Sequence, residues 1–323
     1  RPIATGEDTW CQLFSEPGNG SDLAGLTTRA TLDGDEFVVD GQKVWTTGAH
    51  HAAYGMLLAR TDWDLPKHRG ITFFAFPMRQ PGIEVRPLRQ MNGRASFNEV
   101  FLTEARVPAA NVVGELHGGW AAALTTLAHE RGLAAAIFGG LPPAGGGRTR
   151  DEAQAEAMAY LATYEWYPQR AGRADLVPVR AAATGAAHDR ITRQLVAHLT
   201  ATERTARWTA DRASAARRSG RPPGAEGSIG KLAASIIARE SAAAHSTIAG
   251  AEGMLTGPHS PEGGIVAEVL VSVPGASIAG GTDEVQHNII GERVLGLPKE
   301  PSVDADVPFR EVNVNHRRAR ENR

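Results

Sequence analysis

The segment Phe14-Ser15-Glu16-Pro17-Gly18-Asn19-Gly20-Ser21-Asp22 sets two glycines, a proline and hydroxyl side chains directly after an apolar run. Glycine lets a backbone pass close to a ligand and turn its N–H groups outward, so such a loop suits something anionic. Taken alone, the same composition also describes an ordinary surface turn. The single cysteine, Cys11, lies just before it in the apolar run Trp10-Cys11-Gln12-Leu13-Phe14. A lone thiol in that setting reads as a small buried hydrophobe rather than a nucleophile. It excludes an internal disulfide framework and fits a reducing cytoplasm.

These residues need a scaffold, and the pattern supplies a β type. From Trp10 to about Val113 the chain is short β-type runs broken by turn residues, which predicts an antiparallel sandwich or barrel. The runs are Glu36–Val39, Tyr54–Leu58, Ile71–Phe76 and Glu99–Leu102, with turns expected at Asp33-Gly34-Asp35, Asp40-Gly41-Gln42 and Pro81-Gly82. After Gly118-Gly119 the chain becomes rich in Ala, Leu and Arg at helical spacing. Helices are expected over roughly 120–138, 151–167, 178–218, 228–249 and 283–294, with Ser228 as an N-cap. The expected organisation is a β domain over 1–113, a helical bundle over 114–300 and a polar tail over 301–323, an α+β fold.

With 323 residues, 42% hydrophobic and 22% charged, the chain is of ordinary globular composition and long enough for two compact units. A formal charge of −2 gives no general electrostatic reason to bind nucleic acid or an anionic membrane, so an anionic ligand must be held locally. No stretch approaches the roughly 20 apolar residues of a membrane span, and no metal-ligand set is expected. Residue 1 is Arg rather than Met, and the start reads as a truncation.

Ser15-Glu16-Pro17 through Ser21-Asp22, followed by Gly41-Gln42-Lys43-Val44-Trp45-Thr46-Thr47, resembles the middle domain of the acyl-CoA dehydrogenase family. Pro81-Gly82-Ile83, Val100-Phe101-Leu102 through Val107-Pro108, Gly250-Ala251-Glu252-Gly253 and Gly280-Gly281-Thr282 through Glu292-Arg293 extend the likeness over most of 10–298. It weakens between about 139 and 220.

The resemblance implies FAD as cofactor and α,β-dehydrogenation of an acyl-CoA thioester to the trans-2-enoyl-CoA. It implies that Trp45 lies against the isoalloxazine ring, that Thr47 bonds near flavin N5, that Ser15 reaches the pyrimidine edge and that Ser21 contacts the pyrophosphate and substrate. Phe14, Gly250 and Gly253 join the cofactor set, and Thr282 and Glu284 stand where relatives contact the adenosine. An indole offers a flat apolar wall, and hydroxyls satisfy ring heteroatoms without adding charge.

Many relatives carry the catalytic Glu immediately before the Gly-Thr pair of the C-terminal motif, where this chain has Gly280. A second group carries it on the first long helix, just before an arginine, and here that position reads His129-Glu130-Arg131. The resemblance therefore assigns the α-proton to Glu130, with Arg131 as an orienting, substrate-side neighbour and His129 incidental. Gly280 keeps a backbone N–H for the thioester carbonyl.

Two features of relatives have no counterpart: the N-terminal helical domain, and the Arg-x-x-Phe-Gly segment by which a neighbouring subunit grips the FAD pyrophosphate. Arg170 or Arg173 is the available substitute. Thr61-Asp62-Trp63-Asp64, Lys67-His68-Arg69-Gly70 and Gly220-Arg221-Pro222-Pro223-Gly224 resemble a bacterial branch of heteromeric enzymes, some acting on steroid side chains. The implied partners are an electron-transfer flavoprotein and a homologous subunit in a dimer of dimers. An acyl-CoA oxidase and a non-catalytic partner subunit are the alternatives.

Overall fold

The computed structural model describes residues 2–139, 147–149, 151–153, 155–156, 166, 169–221, 224–257, 259–302 and 304–312, with the backbone alone for 131–139 and 169. The expected helix at 151–167 and the tail at 313–323 therefore fall largely outside the described residues. The chain divides into two compact units, Arg1–Ala128 with Glu300–Arg323, and His129–Lys299. The division falls after Ala128, not after Val113, because the start of the first long helix packs on the sheet.

In the first unit a short helix α1 (Pro2–Thr5) precedes seven strands: β1 (Trp10–Leu13), β2 (Arg29–Asp33), β3 (Glu36–Thr47), β4 (Tyr54–Arg60), β5 (Ile71–Pro77), β6 (Ile83–Leu88) and β7 (Phe97–Pro108). Their order is β1-β4-β2-β3-β7-β6, with β5 on β4. The pairings are antiparallel as expected, except that β4 runs parallel to β1 and to β2. Leu57 and Phe74 face one core, while Leu58 and Phe73 face a second one shared with Phe14, Leu26 and Ala123. Burial on both faces explains why these strands read as continuous apolar runs. Ala123 lies on α2 (Gly119–Gly139), which begins where the backbone meets β5. A Cβ on Gly119 would sit 2.6 Å from the Phe73 nitrogen, so only glycine allows that approach.

Gly34 turns the β2–β3 hairpin at φ 66°, as expected, and Gly82 at φ 83° carries the turn after Pro81. The turn expected at Asp40-Gly41-Gln42 is absent, since β3 continues through it, with only a register shift against β7 between Val39 and Gly41. Gly41 serves close packing instead: a Cβ there would lie 2.8 Å from the Thr28 Cα.

The second unit is helical among its described residues, with α3 (Leu176–Ala183), α4 (Arg190–Arg218), α5 (Glu226–Ala249), α6 (Ile265–Ser272) and α7 (Asp283–Arg293). The single helix expected over 178–218 is two. Gly185, at φ 78°, ends the first part, and Asp189 caps α4 by accepting from the Thr192 N–H at 2.7 Å. Ser228 is not a cap, because α5 starts at Glu226 and buries Ser228. The inner face of α5 is built of small residues around one large one: Ser235, Ala238, Ser241 and Ala242 recur with His245 at helical spacing, and all are buried.

Residues after Lys299 are not all solvated tail. Phe309 is fully buried beside Trp63, its N–H donates to the Leu65 carbonyl at 3.0 Å, and Lys67 bridges to Asp304 at 3.5 Å. The Arg60 guanidinium lies 3.4 Å over the Phe309 ring.

Candidate functional site

The loop after β1 and the end of β3 are joined by one buried ion pair. Glu16 and Lys43, both shielded from solvent, meet at 2.9 Å, and Lys43 Nζ also donates to the Phe14 carbonyl at 3.1 Å. Glu16 further accepts from the Thr27 N–H (2.7 Å), the Thr27 hydroxyl (2.9 Å) and the Thr28 N–H (2.8 Å). Burial pushes the Glu16 carboxyl up, but the Lys43 charge and the Thr28, Thr27 and Lys43 hydrogen bonds outweigh it and hold it at about 2. Burial pulls the Lys43 ammonium down against the attraction of Glu16. With Glu16 held so low, its carboxyl is ionised at neutral pH. The Val44 N–H donates to the Ser15 carbonyl at 2.9 Å, completing the weld.

On this base the five expected residues of the first unit take distinct places. Phe14 is buried edge-on to Phe73 and offers only its backbone. Ser15 is half-buried and Ser21 exposed. Trp45 and Thr47 both point outward, Trp45 with 60% of its surface exposed and its ring edge-to-face with Phe97 at 5.8 Å. Trp45 also has φ 61°. A bulky residue in left-handed backbone costs on the order of 1–3 kcal/mol and persists where the surroundings force it, most often at functional sites. An outward indole, a neighbouring hydroxyl and a rigid, hydroxyl-bearing loop make a flat platform suited to a planar heteroaromatic ligand.

The second unit holds the other expected residues. Gly280 and Gly281 form a turn with φ 68° and 89°, and the buried Gln286 amide donates to both of their carbonyls at 3.3 Å. Thr282 caps α7 by accepting from the Val285 N–H at 3.3 Å. Asp283 is anchored beneath by the Ser235 hydroxyl (2.7 Å) and Lys231 (3.0 Å), so the glycine turn stands on a fixed base. Burial raises the Asp283 carboxyl, but the Ser235 and Lys231 hydrogen bonds prevail and it lies below its ordinary value. Glu284 is exposed in the first turn of α7. Gly250 ends α5 at φ 57°, and Gly253 is buried under Ala249. Glu130 is exposed on α2, and the side chain of Arg131 lies outside the described residues.

Of the two candidate arginines, Arg173 is already engaged: its fork closes on Asp175 at 2.8 and 2.6 Å. Arg170 is exposed. The Glu16–Lys43 pair and the Asp283 anchor escape sequence reading, because lone charged residues ordinarily stay at the surface.

Two family descriptions match the chain: acyl-CoA dehydrogenase, middle domain, over residues 11–105, and acyl-CoA dehydrogenase, C-terminal domain, over 174–295. The chain is 37% identical over 301 residues to acyl-CoA dehydrogenase FadE34 of Mycobacterium tuberculosis, covering 91% of this chain and 36% of that protein. It is 34% identical to acyl-CoA dehydrogenase IpdE1 of the same organism, covering 91% of this chain and 68% of the relative. Among solved structures, the Tcur3481-Tcur3483 steroid ACAD aligns at TM-score 0.74 and 28% identity, over 93% of this chain and 71% of that one. The ChsE4-ChsE5 complex from Mycobacterium tuberculosis aligns at TM-score 0.61 and 29% identity, with the same coverage.

Proposed function

Because the chain belongs to the acyl-CoA dehydrogenase family, we propose that it dehydrogenates an acyl-CoA thioester across its α and β carbons, with FAD as oxidant. The observation that carries this reading is Trp45, forced outward in left-handed backbone beside Thr47, above a loop welded by Glu16 and Lys43. The residues fit a flavin: an exposed indole wall, the Thr47 and Ser15 hydroxyls at its edge, and Ser21 where a pyrophosphate would lie. FAD, when bound, accepts the β-hydrogen together with its electron pair. Glu130 takes the α-proton, the Gly280 N–H donates to the thioester oxygen as negative charge gathers there, and the substrate gains a Cα–Cβ double bond. Thr282 and Glu284 take the adenosine end, and Arg131 orients the substrate beside Glu130. Glu130→Gln should slow reduction of bound flavin by substrate about 10²–10⁴-fold while leaving flavin content unchanged. Near-normal reduction would place the base on another residue or another chain.

A second reading concerns assembly. Arg173 is spent on Asp175, and both solved structures above carry two-component names. The chain would then share its flavin site with a homologous subunit that supplies the arginine clamp, and pass electrons to an electron-transfer flavoprotein. A dianionic pyrophosphate favours arginine because the guanidinium makes two parallel hydrogen bonds. The steroid neighbour points to a bulky, ring-bearing acyl group. Co-expression with adjacent homologous genes should raise flavin per chain and give a mixed oligomer by native mass spectrometry. One FAD per chain and full turnover from the chain alone would exclude sharing and turn attention to Arg170.

A further inference from the structure

Alternate residues of a strand face opposite sides, so burial along β3 should keep one parity. It does so at first: Phe37, Val39 and Lys43 are all buried. Continuing that parity would bury Trp45 and Thr47. Instead Val44 and Thr46 are buried at 8% and 1% exposure, and Trp45 and Thr47 are exposed.

The β3–β7 register supplies the reason. Lys43 pairs with Val100, but the next pair is Thr46 with Asn98, so three steps along β3 match two along β7. One extra residue has entered β3, and Trp45, at φ 61°, is where the backbone absorbs it. The bulge is therefore what turns both residues outward, since a one-residue shift moves every later side chain to the opposite face.

A strained residue needs fixing on both sides. Before Trp45, Lys43 is held by Glu16 and the Val44 N–H by Ser15. Beyond it stands Asn98, buried to 1% exposure, whose Nδ2 donates to the Thr46 carbonyl at 2.9 Å. Among the described residues the Asn98 Oδ1 and the Thr46 hydroxyl are buried without partners. An unpaired buried polar atom costs about 1–3 kcal/mol, so a core selected for stability alone would favour an apolar side chain at position 98.

We propose that Asn98 is a positioning residue: its amide clamps the Thr46 carbonyl, closes the β3 bulge and thereby holds Trp45 and Thr47 on the outer face. Without the clamp, the Thr46 carbonyl loses its donor and β3 relaxes toward regular pairing, carrying Trp45 inward. The inference rests on the reading that this face receives the flavin only for its functional consequence; the bulge itself is a property of the chain.

The test uses the flavin-free full chain. Trp45 emission is isolated by subtracting the Trp45→Phe counterpart, and its acrylamide quenching is measured alongside the melting temperature and FAD affinity. Asn98→Leu, with the same branched skeleton but without a donor, should drop Trp45 quenching toward that of a buried indole and weaken FAD binding by about tenfold or more, roughly 1.4 kcal/mol. Thr46→Val removes the unpaired hydroxyl, keeps the clamped carbonyl and should change neither. If Asn98→Leu does not fold, Asn98→Ser, too short to hold the carbonyl in the same way, is read identically. Trp45 as quenchable in the variant as in the parent would overturn the proposal, whatever happens to FAD. Altered Trp45 exposure with unchanged FAD affinity would uphold the clamp and remove the flavin from this face.

Discussion

The ion pair of Glu16 and Lys43 is bound by a requirement of completeness. Each charge is buried, so each is tolerable only while the other is present. Lys43→Met should cost about 3–5 kcal/mol in urea unfolding, and adding Glu16→Gln should recover much of that loss, because no bare charge then remains. The pH dependence follows from the depressed carboxyl, ordinarily 4.5 and here about 2. Its contribution is fully present above about 4.5 and is lost as pH falls toward 2, because the unfolded chain takes up the proton first. The motifs that contain Glu16 and Lys43 are visible in the sequence, but their pairing is not. It depends on β3 lying against the loop, 27 residues away. Trp45 and Thr47 were legible through family likeness, whereas the backbone that presents them was not, since nothing in Gly41–Thr47 marks an inserted residue.

Elements of the first unit were the more legible, because β-type runs bounded by glycine turns follow from local chemistry. The misreadings share a cause. Gly41 looks like a turn and is a contact with Thr28; Ser228 looks like a cap and is buried within the first turn of α5. In both cases packing overrode a local signal. Gly119 shows the same effect with a measurable outcome. Gly119→Ala drives a methyl into the backbone of Thr72 and Phe73, which cannot swing aside, and should cost about 1–3 kcal/mol by thermal melting. Gly34→Ala is the contrast: its Cβ meets nothing within 4 Å, so it should lose only the left-handed preference, roughly 1 kcal/mol. Equal losses at the two positions would show that α2 does not need its close seat on β5.

The two units should respond differently to acid. His245 is fully buried on α5, with Nε2 against the Arg173 carbonyl at 3.1 Å and Nδ1 against Arg180 at 2.8 Å. Burial lowers it from 6.5 to about 4, helped by the Arg180 charge and opposed by the Arg173 carbonyl. The folded unit therefore binds this proton less well than the unfolded chain does. Stability is full above about 6.5 and declines as pH falls toward 4. Helical ellipticity at 222 nm should thus fade before the β unit yields, and His245→Gln should flatten the decline between those values. Coincident loss of both units would contradict the assignment.

Phe309 carries a consequence for how the protein is made. Burying it against Arg60 and Trp63 means that the β unit is finished by residues lying beyond the whole helical unit. Removing the ring by Phe309→Ala should cost about 3–5 kcal/mol. During synthesis the ring is missing for everyone: at roughly 5–20 residues per second, the stretch from Ala128 to Phe309 takes on the order of 10–40 s to emerge. Throughout that interval the Arg60 face lacks its Phe309 cover. Chains stalled before and after Phe309 has cleared the exit tunnel should differ sharply in how fast protease cuts their first 128 residues.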